Sequence, residues 1–168
     1  MCKTLIALAI AGATFATVAQ AEMAAPPPPA AAPQYGQPGV NLEQATKAVE
    51  AAIAEAKKNG WLMAVAVVSN GGHLVSFSKM DQTQFGSIKI AIHKATAAAH
   101  FRRPTKVFED RVAQGGAGIA LVTLDGVIAS DGGIPLMRDG KIIGAIGCSG
   151  ATGAQDGQAC KAGADTIK

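Results

Sequence analysis

Two pairs of short apolar runs, each folded back by a glycine turn, constrain this chain more than any other feature. Residues 62–68 are continuously apolar, Asn70-Gly71-Gly72 supplies a tight turn, and residues 73–79 continue as a second extended run. The pattern returns downstream as residues 134–138, a turn at Asp139-Gly140, and residues 141–148. Runs joined this closely pair antiparallel, because a parallel pair needs a crossover of a dozen or more residues. Hairpins therefore set the frame.

Helices fill the remainder. Asn41 can cap a helix with Gln44 at the third following position, and Leu42, Ala45, Val49, Ala52, Ile53 and Ala56 then recur at helical spacing up to Asn59-Gly60. An alanine-rich helix is predicted over residues 85–102, stopped ahead of Pro104, which disfavours helix in its predecessor. A short helix over 105–113 and a last one over 153–167 follow, with short strands expected at 118–124 and 127–129 around Asp125-Gly126. The fold class expected is α/β of the α+β kind: one domain with an antiparallel sheet of about five strands covered by helices.

The alanine-rich helix is apolar on two sides. Ile88, Ala91, Ile92, Ala95, Ala98 and Ala99 form one face, and Ile90, Ala97 and Phe101 a second. A helix that is greasy on two sides is buried on both. One side can cover the chain's own sheet; the other is expected to meet a second copy, which makes the protein a homo-oligomer.

Residues 1–21 read as a secretory signal, with Lys3, an apolar run over 5–18 and the small-x-small site Ala19-Gln20-Ala21. The run is short for a membrane span, which takes about 20 apolar residues, so no stable membrane anchor is expected. A periplasmic or secreted protein beginning near Glu22 follows. Residues 22–40 are rich in Pro and Ala, including Pro26-Pro27-Pro28-Pro29, and read as a disordered or semi-rigid linker ahead of the domain at 41–168. Of 15 basic residues only Lys3 falls in the signal, and 12 acidic ones remain opposite, so the processed net charge is +2. That balance does not suggest nucleic acid as a partner.

Cys148 and Cys160 are the cysteines left after processing. An oxidising compartment permits a disulfide between them, and two small buried thiols are the other reading. Catalytic signatures are missing: there is no nucleophile elbow and no H-E-x-x-H, so no dedicated enzyme is expected. The three histidines lack the clustering of a structural zinc site.

Candidate ligand residues remain. His93, Thr96 and His100 stand at i, i+3 and i+7 on one stripe of the alanine-rich helix. Lys94 and Arg103 can pair with carboxylates of a small ligand or solvate a helix edge. Gly132-Gly133 can let backbone amides approach a carboxylate, or can serve a tight turn. His73, beyond the Gly71-Gly72 turn, is a hairpin histidine or a metal contact.

In order along the chain stand Gly71-Gly72-His73-Leu74-Val75 running on to Lys79-Met80-Asp81, then Lys94 and Thr96, then Arg103-Pro104-Thr105. They are followed by Gly132-Gly133-Ile134-Pro135-Leu136, Asp139-Gly140, Gly144, Gly147, Ser149-Gly150 and Gln155-Asp156. Together they resemble the GlcG/HbpS-like haem-binding family, whose domain also forms the C-terminal part of PduO-type proteins. The resemblance covers about 110 residues, essentially the folded part, through motifs individually weak and jointly specific.

The resemblance implies a profilin-like fold, homo-oligomers and haem as cofactor. It implies a protein that captures, buffers or slowly degrades haem, with Thr96 in the segment associated with ligand contact. The signal makes it an exported one, and His93, His100 and His73 are this chain's own candidate iron ligands. The chain departs from the family pattern at His93, at His100 and at Arg102-Arg103, which leaves the axial ligand open. Two other readings stand beside it: a sensor or accessory subunit binding another small molecule at an oligomer interface, and a corrinoid-related enzyme.

Overall fold

The computed structural model describes residues 32–168; the expected signal at 1–21 and the linker up to residue 31 lie outside the described residues. Four α-helices and four strands follow one another as α1 (Leu42–Lys58), β1 (Ala64–Ser69), β2 (Leu74–Lys79), α2 (Gly86–Phe101), α3 (Lys106–Ala113), β3 (Gly133–Arg138), β4 (Lys141–Ser149) and α4 (Gly153–Ala164). A 3-10 helix, Gly116–Thr123, lies between α3 and β3.

The two predicted hairpins form, β1 with β2 and β3 with β4, and β1 also pairs antiparallel with β4. The sheet order is β2-β1-β4-β3. It has four strands rather than about five. The segments expected as strands at 118–124 and 127–129 join no ladder, and most of the first is 3-10 helix. Periodicity alone does not separate a short apolar strand from a helical segment. Gly115 and Gly116, at φ +70° and +54°, turn the chain out of α3.

Strand β1 shows how the layers are divided. Val65 and Val67 point into a core shared with Ala48, Val49 and Ala52 of α1 and Ala159 and Cys160 of α4. Ala64, Ala66 and Val68 point the other way, onto Ala91, Ala95, Ala98 and Ala99 of α2. Alanine facing alanine brings α2 very near the sheet. At Gly147 of β4 any Cβ would collide with the Ala91 carbonyl oxygen, so only glycine fits there.

Local signals place the ends of the covering helices. Asn41 and Gln44 form the expected capping box on α1, and Thr152 with Gln155 forms another on α4. Cys148 and Cys160 are disulfide-bonded, 5.6 Å apart at Cα, joining β4 to α4. The expected linker is tied down before its end. Gly36 N–H donates to the Ile142 carbonyl and Ile142 N–H to that of Gln34, because Tyr35 gives this stretch a side chain to anchor.

Candidate functional site

The alanine face of α2 is committed to the sheet, so the stripe opposite it faces out. His93 and His100 are both exposed there, with Thr96 half-buried between them. The turn between β1 and β2 leans on the C-terminal end of that stripe. Thr96 Oγ1 donates to the Gly72 carbonyl at 3.4 Å, and His100 Nε2 stands 3.1 Å from the Gly71 carbonyl oxygen. A carbonyl only accepts, so the proton belongs on Nε2 and the lone pair of His100 on Nδ1. Gly72, at φ +83°, has no room for a Cβ because His100 Nε2 occupies that space. Tyr35 adds a bond from its hydroxyl to the Ala99 carbonyl at 3.0 Å.

The three histidines thus have different situations. His100 is latched to the turn. His73 is exposed on the hairpin, its ring against Gly71. His93 is exposed and forms no hydrogen bond among the described residues. No group of three or more metal-capable side chains gathers among the described residues.

The carboxylate-binding candidates lie elsewhere. Lys94 sits on the sheet side of α2, fully buried, with its ammonium 2.8 Å from the Asp156 carboxylate of α4. Burial pushes the Asp156 carboxyl above the ordinary carboxylate range, and the Lys94 ammonium opposes that shift. Gly132, at φ +115°, packs where a Cβ would come 2.7 Å from the Asp156 Cβ and 3.1 Å from Lys94 Nζ. Gly133 is held by its N–H to Thr105 Oγ1 at 2.9 Å and lies against the Lys94 backbone.

Lys94, Gly132 and Gly133 therefore build an internal joint between α2, β3 and α4 and present nothing to a ligand carboxylate. Close by, Asp131 is raised by burial, and the charge of Glu109 pushes the same way against the Gly132 N–H. Arg103 stays exposed at the end of α2, its Nε donating to the Phe101 carbonyl at 2.9 Å.

Reading the sequence missed the Lys94–Asp156 pair, although it carried a signal. Lys94 falls on the same side of the helix as Ala91, Ala95 and Ala98, and a lysine inside an apolar face needs a buried acid. Lys89 and Ile90 lie one turn before His93 on the open side of α2, Ile90 on the second apolar side expected from spacing. Ile90 remains 37% exposed.

The donor set at this stripe suits haem, since an uncommitted imidazole on a helix with apolar and cationic neighbours is what an iron porphyrin takes. The helix offers one wall. The second apolar side of α2 is largely covered within the chain: Ala97 is buried, and Phe101 meets Phe108 of α3 edge-on at 5.4 Å. Exposed apolar surface lies instead on the 3-10 helix and just beyond it, at Ile119, Val122 and Leu124.

Comparison with known proteins agrees with this architecture. The family model described as haem-degrading protein HbpS-like matches residues 40–165. Protein GlcG of Escherichia coli K12 is 43% identical over 110 residues, 66% of this chain and 81% of that protein. Among solved structures, a double mutant of Streptomyces reticuli HbpS is 32% identical with a TM-score of 0.71, over 83% of this chain and 99% of that one. A PduOC:heme complex is 25% identical with a TM-score of 0.70, over 77% and 96%. The fold, the motif order and these matches lead to one conclusion: the chain belongs to the HbpS-like family.

Proposed function

We propose that this protein binds haem on the outer stripe of α2, with His93 as the axial ligand. The observation that carries the reading is the state of His93: an exposed imidazole with no hydrogen bond among the described residues, in a family of haem-degrading proteins with a relative seen bound to heme. Bound haem supplies an iron centre that accepts an imidazole nitrogen and can drive slow oxidative degradation of the porphyrin. Within the chain, Ile90 gives the macrocycle an apolar contact, Lys89 offers an ammonium to a propionate, and His100 holds the hairpin turn. A second copy closes the site, its support being the exposed apolar residues of the 3-10 helix.

Titration with hemin, followed by absorbance, tests this. The wild-type chain is expected to develop a saturable Soret band, and His93→Ala to bind at least about tenfold more weakly, about 1.4 kcal/mol. His100→Ala is expected to keep most of the band, because its Nε2 is committed to Gly71. Equal binding by wild type and His93→Ala would remove His93 from the ligand role.

We also propose that the protein is exported. Support comes from Lys3, the apolar run and Ala19-Gln20-Ala21, and from a buried disulfide suited to an oxidising compartment. The mass of the protein recovered from the periplasm or medium should correspond to a chain starting at Glu22; a full-length cytoplasmic product would end that proposal.

A further inference from the structure

Three features are left over by the haem reading, and they lie together. The first is the outer edge of β2, which pairs with β1 alone and leaves its other backbone edge without a strand among the described residues. The second is a groove of about 630 Å³ between α1 and the end of β2. The third is Phe85, 85% exposed at the start of α2, with the Lys79 ammonium 5.8 Å from its ring.

The register explains the groove. Ser76 and Ser78 of β2 stand opposite Val67 and Val65, whose side chains face α1. Serine is too short to reach that helix, so a gap opens beside Val49, Ile53 and Lys57, with Leu62 and Met80 also lining it. Phe77 and Lys79 stand opposite Ala66 and Ala64, on the other face, and Phe85 extends that face. Each side of one open strand edge therefore carries an apolar wall.

We infer that the outer edge of β2 receives an extended segment of another polypeptide as an added strand, apolar at alternate positions. Strand addition draws affinity from main-chain hydrogen bonds and specificity from pockets for alternate side chains. The groove takes one set and Phe77 with Phe85 the other.

Charge complementarity selects a segment bearing both signs. Glu50 and Lys57 line the groove from α1 and Asp81 from just beyond β2, and none of the three forms an ion pair among the described residues.

The probe is a capped heptapeptide in which valine alternates with lysine and glutamate, added to the full chain and followed by backbone amide NMR. Saturable shifts are expected in β2 and along the groove side of α1. N-methylation of the peptide amides that face β2 should weaken binding by about tenfold. Ser78→Phe, which fills the groove from an exposed edge, and Phe85→Ser should each weaken it several-fold without moving the thermal midpoint.

The inference is overturned by an absence of saturable shifts at millimolar peptide, by equal binding of the N-methylated peptide, or by shifts confined to the outer stripe of α2. It is also overturned if Phe85→Ser dissociates an oligomer in sedimentation, which makes the occupant a second copy. None of these outcomes depends on haem.

Discussion

Lys94 carries more of the architecture than its place in an alanine-rich helix suggests. Its ammonium and the Asp156 carboxylate are both removed from water, 2.8 Å apart, with the Ala151 N–H as a further donor to Asp156 at 3.0 Å. Removing one partner of such a pair strands the other charge, which costs far more than the net worth of the pair. Lys94→Met should lower unfolding free energy by about 3–5 kcal/mol in urea titrations. Lys94→Met combined with Asp156→Leu should recover a substantial part of that loss. Additive losses in the double variant would show that the two side chains do not act as a pair.

At the scale of elements, helix α4 is fastened twice on one side, by Asp156 and, one turn later, by Cys160 to Cys148 of β4. The bridge closes a loop with a sequence separation of 12 residues, for which chain-entropy arguments give about 2–4 kcal/mol. Unfolding with and without reductant should differ by that amount, and Cys160→Ala should match the reduced protein. No difference would mean that the thiols pack as well as the bridge does.

The same scale shows what could be read in advance. The hairpins and the Asn41–Gln44 capping box follow from local rules, glycine turns and polar caps, and they form where expected. The segment after α3 does not, because its apolar run suits strand or helix alike and only tertiary pairing decides. At the candidate site, the shared stripe of His93, Thr96 and His100 was legible from helical spacing. The different states of the two imidazoles were not, since they depend on a turn more than 20 residues away in sequence folding back onto α2.

For the whole molecule, the decisive surface is the 3-10 helix, none of whose residues is buried although most are apolar. Val122, 59% exposed, and Ile119 stand out on it. Apolar clusters of this kind on a small protein mark contact surfaces. Sedimentation should find the wild-type chain larger than a monomer. Val122→Glu together with Ile119→Glu should shift it towards the monomer while leaving the circular dichroism unchanged. A wild type that sediments as a monomer at every concentration would exclude the second copy from the proposed haem site.

The closeness of α2 to β4 at Gly147 has an evolutionary consequence. The inward side of that helix admits almost no change, whereas the outward side is under no packing demand near position 93. Descendants of such a chain are thus free to exchange the side chain at position 93, or lose it, while the scaffold persists. Saturation mutagenesis scored for folding alone should return a sharp boundary running lengthwise along the helix: intolerant beneath, permissive above.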